Sequence, residues 1–273
     1  MNIDPTELSL PSVSPQGIQA LDIVNSNDPD IKRLQQVILH DPMLANMLLR
    51  HANSPLYHRN QTISNVPAAI RVLGLKSIRS AIVMATMQVV AKPDPVNQPI
   101  WDHCLAISLM SRLLAESIDH NIGDDVEFIA LIHDMGMLVL ASNFPEQYKE
   151  IMDTAKKNDT AIDVLEEEAF GIQHGAVMQH LLKQFRLPND FIRLLTDFHS
   201  HKPVPAIETD AQRFSDILSL AHLMVQEQQT EETKMVYQET IIEPSPQLSD
   251  KLNVDDTKRD EIIEKYRKRI NAQ

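Results

Sequence analysis

With 273 residues of which 43% are hydrophobic, the chain is long enough to bury one large core or two smaller ones, which excludes a fully disordered reading. Leu, Ile, Ala and Met dominate, aromatics make up only 4% and there are only 6 glycines, which favours an all-α fold over sandwiches and barrels. A net charge of −13 argues against general affinity for nucleic acid or anionic membrane surfaces.

The first residues contain no basic region leading into an apolar segment, and the longest strongly apolar run, 81–87, is too short to cross a bilayer. The expectation is a soluble, cytoplasmic protein. A lone cysteine, Cys104, excludes an intrachain disulfide and any Cys-rich zinc motif, and reads as a core residue.

In chain order, a Pro-containing leader opens a helix with Ile18, Leu21 and Val24 on one stripe, followed by a second over 30–39. A third starts at Asp41-Pro42, a capping Asp and a Pro suited to the first turn. Asn53-Ser54-Pro55 should stop it, with Asn in the left-handed conformation. A short helix over 67–73 is closed by Gly74, and a longer one follows over 75–90. The stretch AKPDPVNQP, 91–99, marks the boundary, so the expected units are an N-terminal helical bundle over 1–92, a linker over 93–99 and a second helical unit over 100–226. From Pro42 to Pro93 there is no Asp or Glu, only Arg50, Arg59, Arg71, Lys76, Arg79 and Lys92. Such a run is usually a set of solvated faces, and alternatively a docking face for an acidic partner or a phosphate-bearing ligand, with Arg71, Lys76 and Arg79 as the candidate contacts.

The second unit begins with a helix over 101–119 that puts His103, Ile107, Met110 and Leu114 on one face. The stretch 123–144 then reads as one nearly buried helix, with Asp124 and Glu127 as an acidic capping box and His133-Asp134 at its centre. A histidine and a carboxylate in an apolar run must be hydrogen-bonded, paired or coordinated. Further helices are predicted over 145–158 and up to Phe170-Gly171, and then from His174 to Leu187, over 189–198 and over 210–226. Beyond 226 lies an acidic tail in which Pro244 and Pro246 break any regular pattern, ending in a helix over 255–270.

Six histidines, His133, His174, His180, His199, His201 and His222, fall within ninety residues of the second unit, and His103 precedes them. Taken singly, each is more often a satisfied core histidine than a ligand. Together with Asp134, four or five imidazoles on separate helices could converge on one or two divalent ions, a mixed N and O set suited to iron, manganese, nickel or zinc.

Several motifs stand out. In the first half they are LPSVSPQGIQALDIV, DPMLANMLLRHANSPLY and ISNVPAAIRVLGLKSIR. In the second half they are WDHCLAISLMSRLLA, FIALIHDMGMLVL, FGIQHGAVMQHLLKQFRLP, DFHSHKP and SLAHLMV. In these stretches the chain resembles the HDOD family, a helical bacterial relative of the HD phosphohydrolases, over about 10–226. The resemblance implies an HD-like second unit whose metal ligands are His103, His133, Asp134 and, where the superfamily has a late Asp, His222. Additional histidine positions match His174 and His199.

Two departures bear on activity. His222 removes one negative charge from the site, and Met137 stands where related phosphodiesterases carry a Lys that neutralises phosphate, a loss that can cost several kcal/mol of transition-state stabilisation. The resemblance therefore implies a signalling or regulatory module without hydrolase activity that meets a signalling protein or a phosphate-bearing small ligand. The alternative is a metal-dependent phosphohydrolase acting on a nucleotide or cyclic dinucleotide, with Asp134, His174 and His199 as the catalytic residues. A third possibility is a relic site whose histidines form a buried hydrogen-bond network.

Overall fold

The computed structural model describes residues 2–54, 57, 62–87, 95–158, 160–184, 189–199, 210–228 and 245–270, which contain helices and no strand. Four helices make the first layer: α1 (Pro15–Val24), α2 (Ile31–Leu39), α3 (Pro42–Ala52) and the bent α4 (Val66–Met87). Local chemistry sets their starts. Ser14, Asp30 and Asp41 each accept a backbone N–H of the first turn of α1, α2 and α3, and Pro15 and Pro42 occupy first-turn positions where a missing N–H costs nothing.

The bend in α4 is at Gly74, whose φ of 72° only glycine adopts cheaply. Asn53 ends α3, but not in the left-handed conformation expected of it. It keeps φ −95° because its amide is occupied, donating to the Leu49 and Ile63 carbonyls and accepting the Ile63 N–H, each at 2.8 Å.

The second half is built on α5 (Asn97–Ile118), which begins inside the proline-rich stretch. Against it pack α6 (Gly123–Ile132), α7 (Met135–Asn143) and α12 (Asp210–Gln228), while α8 (Pro145–Asn158) and α9 (Ile162–Phe170) lead to α10 (His174–Gln184), which lies on α7 and α11 (Asn189–His199). α4 also packs on α6, so the buried apolar residues run as one cluster through both halves. The predicted positions 88–94, 200–209 and 229–244 lie outside the described residues.

Two corrections concern continuity. The single helix expected over 123–144 is two, α6 and α7, separated at His133-Asp134, with Asp134 at φ −109°, ψ 15°. The expected pattern break at Pro246 is instead the first turn of a further helix, α13 (Ser245–Leu252), followed by α14 (Asp256–Ile270). These helices fold back, α13 on α12 and α14 on α5, burying Leu248, Leu252, Ile262 and Tyr266. No helix among the described residues is long and apolar enough to cross a membrane.

Candidate metal centre

The break between α6 and α7 creates the centre. In a continuous helix neighbouring side chains project about 100° apart and do not face each other. The non-helical backbone at Asp134 brings the two together, with Asp134 Oδ2 3.0 Å from His133 Nε2. From α5 comes His103, whose Nε2 is 3.4 Å from Asp134 Oδ2, and from α12 His222, whose Nε2 is 3.0 Å from that of His133. One ligand atom from each of His103, His133 and His222 lies within 4.8 Å of the others. Asp134 Oδ2 thus lies against both the His103 and the His133 ring. All four residues are buried, His133 and Asp134 completely.

The donor set fits a cation. The Nδ1 atoms of His133 and His222 each lie 2.7 Å from a carbonyl, of Ala130 and of Leu218 respectively, and a carbonyl only accepts. Each Nδ1 therefore carries the proton, and each Nε2 of a neutral ring presents a lone pair. Two lone pairs facing each other at 3.0 Å repel unless a cation or a shared proton lies between them. Three imidazoles and one carboxylate suit a divalent transition ion.

Behind this cluster His174 opens α10, with its Nε2 3.8 Å from Asp134 Oδ1 and its Nδ1 2.6 Å from Glu166 of α9. Gly136 makes room for it: a Cβ there would lie 2.2 Å from the His174 carbonyl oxygen and 3.0 Å from Met178 Cγ. Backbone cannot yield as a flexible side chain does. Gly136→Ala should therefore cost roughly 1–3 kcal/mol as overpacking, measured by urea denaturation, and an unchanged midpoint would show that α7 and α10 part freely.

The other predicted residues fall as follows. His199 ends α11, and its side chain is outside the described residues, as is His201. His180 is half-buried and is not among the converging rings. Arg71 and Lys76 are exposed, whereas Arg79 is buried, ion-paired with Asp125 and stacked 5.2 Å from the Phe128 ring centroid. Lys76 also reaches Asp125, at 2.7 Å. Met137 is wholly buried.

The capping box is absent. No side chain caps α6, because Asp124 and Glu127 turn to Arg112 of α5, whose Nη1 lies 2.6 and 2.5 Å from their oxygens and 2.7 Å from Tyr57 Oη. Tyr57 in turn donates to Glu127 Oε2 at 2.8 Å. Burial pushes the Glu127 carboxyl above its ordinary range against the pull of Arg112, and burial, with Arg112 adding to it, lowers His51 beside them to about 4. This cluster joins the two halves of the molecule. Neither Arg112 nor Glu166 stood out in the sequence: Arg112 sits among small and apolar residues of α5, and Glu166 is one of three consecutive glutamates.

The HDOD domain family description matches residues 10–201. A comparison with curated proteins finds no match. Among solved structures, an HDOD domain protein of unknown function from Geobacter sulfurreducens aligns with TM-score 0.70 and 19% identity, covering 96% of this chain and 85% of its own. A candidate signal transduction protein from Marinobacter aquaeolei VT8 aligns with TM-score 0.69 and 18% identity, covering 96% of this chain and 57% of its own. A candidate metal-dependent phosphohydrolase from Shewanella amazonensis SB2B aligns with TM-score 0.60 and 14% identity, covering 96% of this chain and 94% of its own. At these identities the likeness is one of fold.

Proposed function

The chain belongs to the HDOD domain family, and we propose that it is a non-catalytic signalling module in which the HD-like centre holds a divalent transition metal and the N-terminal half docks a partner. The supporting observation is that five buried side chains offer donors at the centre: His133 and Asp134 are 0% exposed, His174 2%, His103 5% and His222 6%. Structural metal sites take all their ligands from the protein, whereas catalytic ones leave a position to water or substrate. Charge argues the same way: with neutral imidazoles the set carries only the charge of Asp134, and the buried Met137 offers no cation to a phosphate.

Iron, manganese, nickel or zinc would be held by His103, His133, Asp134 and His222. For the docking partner, a signalling protein or a phosphate-bearing ligand, Arg71 and Lys76 remain the exposed candidates, and Arg79 serves the interior.

A second reading, a metal-dependent phosphohydrolase acting on a nucleotide or cyclic dinucleotide, draws on one observation: the His174–Glu166 pair beside Asp134 is a ready acid–base group. A bound ion would lower the pKa of its water. Asp134 would orient the attacking oxygen, and His174 or His199 would handle the leaving-group proton.

One experiment separates the readings: elemental analysis and turnover of untagged protein purified without chelator, beside a His133→Ala, Asp134→Ala double variant. The expected result is a stoichiometric transition metal in the parent, none in the variant, and no hydrolysis of nucleotides or cyclic dinucleotides with Mn, Fe, Mg or Ni supplied. Metal-dependent turnover by the parent alone would overturn the non-catalytic reading, and a metal-free parent would overturn the metal. Arg71→Glu should weaken partner capture in the same preparation.

A further inference from the structure

Glu166 is completely buried, yet it keeps a carboxylate where a neutral residue would be cheaper to desolvate. Three donors converge on it. Tyr148 Oη of α8 donates to Oε1 at 2.5 Å, and the backbone N–H and Nδ1 of His174 reach Oε2 at 2.8 and 2.6 Å. Tyr148 is itself wholly buried and lies parallel to the Phe170 ring, 6.4 Å between centroids. The group therefore has little freedom to turn.

The consequence falls on His174. A carboxylate only accepts, so Nδ1 of His174 is the protonated nitrogen and Nε2 is left to face the centre, 3.8 Å from Asp134 Oδ1. Because Glu166 also accepts the His174 backbone N–H, it holds ring and backbone together, and Gly136 lets that backbone lie against α7.

We propose that Glu166, backed by Tyr148, is a positioning residue of the centre: it fixes the tautomer and aim of His174 so that Nε2 is presented, as a stronger base, to an ion held by the neighbouring histidines and Asp134. This rests on the reading of that cluster as a metal site. A carboxylate on the far nitrogen of an imidazole both orients the ring and raises its basicity, and removing such a partner typically weakens metal binding by about 10–100-fold. Simple packing would be served as well by glutamine, which is nearly the same size and carries no charge.

The test is cobalt(II) titration of metal-free protein, read by chelator competition and by the visible absorption of the bound ion, together with nitrogen NMR of the His174 ring. Glu166→Gln should bind cobalt(II) on the order of 10–100-fold more weakly, with altered absorption bands and a changed His174 tautomer balance. Tyr148→Phe should shift the same quantities less, and it carries the test if Glu166→Gln does not fold. A folded Glu166→Gln protein with parental affinity, absorption and tautomer would overturn the positioning role and leave the metal reading standing. A parent protein that takes up no cobalt(II) would overturn both.

Discussion

Replacing Arg112 by alanine should cost about 3–5 kcal/mol of folding stability, the usual penalty for stripping the partner from a buried charge. The guanidinium side chain is 14% exposed and that of Glu127 only 3%, so water cannot take over the role of Arg112. Asp124 and Tyr57 lose the same donor. The cluster ties Tyr57 of the first half to α5 and α6 of the second, and α5 also carries His103, so the loss should be felt as a cooperative weakening of the whole molecule. Denaturant unfolding of Arg112→Ala, Glu127→Gln and the double variant gives the measurement. The double variant should recover part of the loss, because a neutral amide no longer demands a cation. A single-variant loss below about 1 kcal/mol would show the pair to be solvated like a surface ion pair.

Acidification should draw on the same cluster through a different residue. Burial, and next the charge of Arg112, lower His51 from 6.5 to about 4, so the unfolded chain takes up a proton that the folded one refuses. Stability from this source is full above pH 6.5 and is lost as pH falls from there toward 4, by about 3 kcal/mol. Glu127 acts in the opposite sense. Its folded carboxyl is raised, so its contribution is present below the ordinary carboxylate range and fades as pH rises through the folded value. Comparing parent and His51→Leu in urea at several pH values isolates the histidine. The stability gap between the two should narrow, or turn in favour of the variant, by about 3 kcal/mol between pH 7 and pH 4. A gap independent of pH would mean that His51 is solvated or already protonated in the fold.

Most of the helices, the first turns of α1 to α3 and the bend at Gly74 follow from the sequence alone, because the information needed lies within about four residues: a capping Asp before Pro42, an apolar stripe on α5, a glycine where φ must be positive. The centre was also legible in outline. His103, His133, Asp134 and His222 lie on apolar stripes or match the family's motifs, and the structure brings them together. What the sequence misjudged was decided at long range. Asp124 and Glu127 read locally as a cap, but a buried Arg112 arriving from α5 needs their charge more than the first turn of α6 does. Arg79 reads as a surface base until Asp125 and two aromatic rings enclose it. His133 and Asp134 read as neighbours on one helix, and only the packing of α5, α7 and α12 around them sets the break that turns both inward. Helix propensity is local and additive along the chain, whereas the pairing of a buried charge depends on which distant residue the fold delivers, and that is settled only when the core closes.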